Sequence, residues 1–318
     1  MEAIPSVTAH SASTTIGTGG AGTGGAEFDF EAFHRTLKYQ RLAPPEVLRA
    51  DLRRISELDS ESERRQMRYG VHIAVSVFAL IASIPGTLFS FGAMGPWAGI
   101  PVGAAGLFAL ISAIYNGRLW AIARKTNVEN RRREIPNELL RYLPADMPAE
   151  AQLDLSIDFN PHTLPAYLRD TKSSGRTSSA AVKNYELPWL TLKGSFVDGS
   201  RFRLAATLSV KRKEKRKRKG IKVRETFTED VELVVQVKPR RYQRLDRALN
   251  PIRALTNRSA YPQIVARVSG DRIHLAGSAS TRFSGSGFPT EPPLGSHRSM
   301  LHLFLACYHG LSACAGEG

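Results

Sequence analysis

The densest chemistry in this sequence is a run of cations. Lys211, Arg212, Lys213, Lys215, Arg216, Lys217, Arg218 and Lys219 are eight basic residues in nine, interrupted by Glu214 and closed by Gly220. Like charges at this density repel one another, so the run needs solvent or an anionic partner to offset them. Lys222, Arg224, Arg240, Arg241, Arg244 and Arg247 extend the same field. A groove for single-stranded nucleic acid normally interleaves aromatic residues that stack on bases. No aromatic lies between Val210 and Thr226. That disfavours nucleic acid without removing contact to a phosphate backbone. Anionic lipid headgroups are the stronger candidate, since each Lys or Arg near such a surface is worth about 1 kcal/mol. A small anionic ligand and a solvated run with no dedicated partner complete the alternatives.

Metal and nucleophile chemistry is poorly served. His297, His302, Cys307, His309 and Cys314 cluster near the C-terminus. Their spacing lacks the paired short intervals of a zinc site. Cys307 and Cys314 share one face of an expected helix over 300–313, where Leu301, Leu305 and Cys307 read as core residues. That helix is too short to span a bilayer. Asp154 and Asp158 fall on the polar side of an alternating stretch and have no third acid at a ligand spacing, so a solvated edge is expected. Gly17, Gly19, Gly20 and Gly22 imitate a dinucleotide fingerprint, but neither a strand before nor an apolar helix after supports it. No P-loop, nucleophile elbow, kinase set or H-E-x-x-H motif occurs. The expectation is a protein that is not an enzyme and carries no cofactor.

The elements that must position the cations begin with a gap in the charge. The chain of 318 residues carries a net charge of +15, yet residues 69–117 contain no Asp, Glu, Lys or Arg. A membrane-spanning helix needs about 20 mostly apolar residues. The gap supplies two, near 69–91 and 97–117, with Gly92, Gly95 and Pro96 as the break. Pro85 is expected to kink the first span. Arg64, Arg65 and Arg68 precede the pair and Arg118, Arg124 and Lys125 follow it, whereas the connecting turn has no cation. The positive-inside rule then puts both termini in the cytoplasm of a cell membrane, the inner membrane if the source is bacterial. Trp97 and Trp120 bracket the second span as interfacial aromatics do. Gly95, Gly99, Gly103 and Gly106 line that span at helical spacing. Small residues so placed let helices approach closely. The approach is either to the first span or to a second copy of the hairpin, which would make a homo-oligomer.

Residues 1–27 read as a disordered N-terminus with no basic n-region of a cleaved signal. Residues 28–68 read as a cytoplasmic helical segment, with Leu48, Leu52, Ile55 and Asp59 on one face. Residues 118–150 read as a juxtamembrane helix, ending at Ile135-Pro136, and a Pro-rich linker. The two charged extensions are expected to pair as a stalk beneath the membrane. Residues 151–318 read as a β-rich domain with a flexible loop at 171–183. Alternation at Leu153–Phe159, around Leu190, over Phe202–Val210, Val223–Val237 and Ile264–Leu275 gives at least five antiparallel strands. Asp198-Gly199 and Gly270-Asp271 supply hairpin turns, and the basic run is expected to be a loop at a hairpin tip. Residues 187–318 hold 24 basic and 10 acidic residues, nearly the whole net charge.

The fold class expected is therefore α+β, a membrane α-helical hairpin carrying a cytoplasmic antiparallel sheet that forms a curled sheet or small open barrel. The leading functional expectation is a non-enzymatic integral membrane protein whose basic β domain docks an anionic surface or partner. One alternative is a ligand-gated membrane-disrupting effector whose β domain senses a soluble anionic signal. Another is a membrane-tethered nucleic-acid binder.

Overall fold

The computed structural model describes residues 28–94, 96–126, 129–173, 180–217, 220–242, 244–256, 263–284 and 297–314. The expectations for 1–27, Gly95, Arg218 and Lys219 lie outside the described residues.

The architecture is α+β, with a large antiparallel sheet covered on one face by helices. Its strands are β1 (Lys38–Ala43), β2 (Leu153–Asp158), β3 (Leu168–Ser173), β4 (Ala180–Ser195), β5 (Arg201–Lys217), β6 (Gly220–Gln236), β7 (Gln263–Ser269) and β8 (Arg272–Ser284). They pair in the order β1-β2-β4-β5-β6-β8-β7, with β3 added to the far half of β4. Among the described residues β1 and β7 are edges, so the sheet is open rather than closed into a barrel. β5 and β6 are 17 residues each and pair along their whole length, from Arg201↔Gln236 to Lys217↔Gly220.

Strict alternation along β5 decides which face is buried. Phe202, Leu204, Ala206, Leu208 and Val210 point inward, and Phe227, Val231, Leu233 and Val235 of β6 meet them. Helices α4 (Asn130–Tyr142), α5 (Leu249–Thr256), α6 (His297–Ser312) and the first part of α2 (Pro45–Met94) contribute Leu139, Leu140, Ile252, Leu303, Phe304, Leu48, Leu52 and Ile55 to the same core. A short helix, α1 (Phe30–Thr36), adds Phe33, packed edge-on against Phe159. The turns expected at Gly199 and Gly270 are present, each with positive φ (78° and 59°), where a side chain would be strained.

Several expectations are corrected. Residues 28–68 are not wholly helical: Lys38–Ala43 is a strand paired with β2. The sheet is therefore not confined to 151–318, because β1 and its helical neighbours belong to the same core. Pro136 does not end a helix; it lies buried inside α4, which runs on to Tyr142. α2 and α4 do not form a free stalk. The face Leu48, Leu52, Ile55 and Asp59 is buried in the domain, where Asp59 accepts from Arg133 Nη1 at 3.2 Å. Residues 171–173 and 180–183, expected in a loop, are paired strand. Leu305, expected in the core, is 59% exposed, while Cys307 is buried as expected. Asp154 and Asp158 are engaged within the fold: Asp154 accepts from Lys193, and Asp158 accepts from Tyr167 at 2.6 Å.

α2 leaves the domain as one helix that includes Pro85 and reaches Met94; α3 (Pro96–Thr126) returns. Two stretches, Pro45–Phe89 and Ile100–Ala121, contain a window long and apolar enough to cross a membrane. Their outward side chains Phe78, Leu88 and Phe108 are each 70% exposed or more. The helices touch through small and polar groups. Ser76 donates to Ser112 at 3.2 Å, and a Cβ on Gly106 would come within 2.5 Å of Ser83 Oγ.

Candidate anionic-surface interface

As far as Lys217 the basic run is not a loop. Residues 211–217 are the last part of β5, paired along their length with β6 and, as far as Lys215, with β4 on the other side. Alternation, not density, therefore decides where each cation points. Arg212 and Glu214 follow Val210 onto the inner face, and Lys211, Lys213 and Lys215 take the outer face.

The inner face is neutralised. Arg212 stands directly opposite Glu225 and pairs with it at 3.4 Å, and with Glu214 at 2.8 Å. Lys183 of β4 reaches Glu214 at 3.7 Å, and His162 Nε2 lies 4.0 Å from the nearly buried Glu225 carboxylate. The His162 ring is held edge-on by Phe227 at 5.6 Å. Below this cluster, Glu229 is fully buried, pairs with Arg131 and accepts from Trp189 Nε1 at 3.2 Å. Burial pushes the Glu229 carboxyl above its ordinary range, and the Arg131 guanidinium offsets only part of that.

The outer face is different. Lys211, Lys213, Lys215, Lys222, Arg224 and, on β8, Arg282 are all exposed. Register sets Lys213 directly against Arg224 and Lys215 against Lys222. Opposed residues on one face sit roughly 5 Å apart at Cβ, so each pair is a like-charge contact. Among the described residues no acid pairs with any of these six cations. The neighbouring outer-face positions are Ser209, Thr226, Thr228 and Ser280, with Val182, Asn184 and Glu186 on β4, the last paired with Arg169; none is an aromatic ring.

Of the residues singled out in the sequence, Lys211, Lys213 and Lys215 thus share one exposed face, while Arg212 belongs to the opposite, paired one. Arg216 and Lys217 are placed as the end of the strand. Lys222 and Arg224 join the face as expected. Arg240, Arg241, Arg244 and Arg247 do not, because the chain after β6 turns at the other end of the sheet, where Tyr242 donates to Asp198 at 2.6 Å. Sequence reasoning missed Arg282, which only strand register brings beside Thr226. It also missed Glu225 and Glu229, whose parity with Phe227 and Val231 was visible but whose cationic partners lie 13 to 98 positions away.

The glycine stripe divides similarly. Gly106 is at the contact between α2 and α3, whereas a Cβ on Gly103 would meet nothing within 4 Å. Gly99 is part of α3. At the C-terminus Cys307 and Cys314 are buried free thiols, and burial pushes the Cys307 thiol up to about 12. Among the described residues no three His, Cys, Asp or Glu side chains are grouped as metal ligands.

Comparison with protein-family models, with curated proteins and with solved structures finds no match to this chain.

Proposed function

We propose that this chain is a non-catalytic integral membrane protein that spans the bilayer twice, with both ends on the cytoplasmic side, and docks its α+β domain on an anionic surface through the outer face of the β5–β6 ribbon. The observation that carries the docking is the pair of like-charge contacts, Lys213 with Arg224 and Lys215 with Lys222, at the ribbon end, with the outer-face acids of β6, Asp230 and Glu232, farther down the strand. A fold that neutralises Arg212 one residue away keeps these cations available. The exposed apolar side chains along α2 and α3, together with the cations flanking them, support the membrane anchor.

The test uses the full chain in neutral-lipid nanodiscs, titrated with a soluble polyanion across a salt series. Binding that weakens steeply with salt and is lost on K211Q/K213Q/K215Q supports the reading. No binding at low salt overturns it. An oligonucleotide that binds tighter than a charge-matched polyphosphate would favour the nucleic-acid alternative.

The effector reading is favoured by one observation, the open space at Gly103. In that reading Gly103→Leu abolishes dye leakage from vesicles, because it blocks approach of a second hairpin. Gly106→Leu instead destabilises the single hairpin by about 1–3 kcal/mol in a detergent melt, through overpacking against Ser83.

A further inference from the structure

The hairpin and the cationic ribbon leave the domain at the same end. The opposite end is marked by the β4–β5 turn, where Val197 N–H donates to the Asp146 carbonyl just after α4. α4 begins at the level of Glu229, to which Arg131 in its first turn is paired, and Glu229 faces Leu208 across the sheet. From Arg131 to Asp146 a helix covers roughly 22 Å, and β5 needs roughly 23 Å for the interval from Leu208 back to Arg201. The equal lengths mean that α4 lies along the strands, descending as β5 rises. α2 runs opposite to α4. It starts beside Ala43, whose partner Leu153 packs under Gly194 and Phe202 near the turn, and it reaches Arg133 through Asp59.

Above Asp59, α2 rises about 15 Å to Tyr69, the first residue of the uncharged stretch. That rise equals about five strand residues, which carries β5 from Leu208 to Lys213. Arg64, Arg65 and Arg68 on α2 and Arg118 on α3 are exposed at this same level. The remaining strand, to Lys217, carries the ribbon past this level rather than stopping short of it.

We infer that the outer-face cations Lys211, Lys213, Lys215, Lys222, Arg224 and Arg282 rest on anionic lipid headgroups of the very bilayer that holds the hairpin. This rests on the membrane-anchored reading and names its partner. Exposed lysines with hydroxyls between them and no aromatic suit phosphate-bearing headgroups better than bases. Like-charge repulsion across Lys213–Arg224 and Lys215–Lys222 is relieved when headgroups interpose. The cations on α2 and α3 complete a collar around the point where the helices enter.

The experiment places an environment-sensitive dye on the full chain at Thr226→Cys, inside the patch, or at Val197→Cys, exposed at the opposite end. Native Cys307 and Cys314 are buried and contribute little labelling. The chain is reconstituted in phosphatidylcholine vesicles with or without about 30 mol% phosphatidylglycerol, each doped with a headgroup-quenching lipid. Quenching at 226 is expected to exceed that at 197 by about two-fold or more in anionic vesicles. It is expected to fall to the level of 197 in neutral vesicles, in about 0.5 M salt or on K211Q/K213Q/K215Q. Equal quenching at 226 and 197 in anionic vesicles overturns the inference and directs the face to a soluble anion. Strong quenching at 226 that is indifferent to lipid charge overturns headgroup recognition. Extraction from neutral vesicles by alkaline carbonate overturns the membrane anchor itself, which separates that failure from the other two.

Discussion

The inner and outer faces of the β5–β6 ribbon hold cations at adjacent positions, and over residues 211–215 and 222–228 only the inner face holds acids. Arg212 points inward into Glu214 and Glu225, while Lys211 and Lys213 on either side of it point outward to no acid among the described residues. The inner face is half-enclosed by His162 and Phe227, where an uncompensated charge is costly to desolvate. The outer face is open, so water tolerates the repulsion and a partner can replace the water. The difference shows that the fold separates two uses of the same residue type by parity alone.

Making the inner face resemble the outer breaks this comparison most sharply. Glu229→Ala leaves Arg131 and the Trp189 N–H without their buried acceptor, and a loss of about 3–5 kcal/mol is expected in denaturant unfolding followed by tryptophan fluorescence. Glu225→Ala, nearer the ribbon end, is expected to cost about 1–3 kcal/mol in the same assay, because Arg212 keeps Glu214.

A pH series sharpens the contrast at the turn end. Burial works to raise the Asp198 carboxyl, but hydrogen bonds from Tyr242 and Ser200 outweigh it and hold the group below its ordinary value of 3.8. The native state therefore binds fewer protons than the unfolded chain as the pH falls through that interval, and stability falls with it. Melting temperatures of wild type and Asp198→Asn are expected to converge below about pH 4, with wild type higher above it.

The smallest stability effect is expected where the function is proposed. K211Q/K213Q/K215Q removes repulsion and no attraction, so stability rises by a few tenths of a kcal/mol at low salt. The gain disappears at high salt, where exposed charges are screened. A loss of more than about 1 kcal/mol would show that these lysines serve the fold, and the two faces would no longer be distinct.

Much of the fold was legible locally. The alternation of Phe202, Leu204, Ala206, Leu208 and Val210 named a strand and its buried side, and Gly199 and Gly270 named its turns. The face Leu48, Leu52, Ile55 and Asp59 was correctly read as one side of a helix, but as a stalk, because its cover is a sheet assembled from distant strands. β1 was missed since Lys38–Ala43 is short, polar and an edge, paired to a strand more than a hundred residues later. The basic run was read as a loop because charge density masks a period of two when both faces carry cations.

The amino-acid order by itself determined the uncharged stretch at 69–117, the strand alternation and the placement of nearly all net charge after residue 187. These depend on composition and on neighbours a few positions apart. Only the tertiary structure decided that the sheet draws strands from both sides of the hairpin, that Arg282 joins the lysine face, and that α2 and the ribbon leave by the same end. Each of these is a pairing across long sequence separation, and such pairings are chosen by how whole faces bury together rather than by any local pattern.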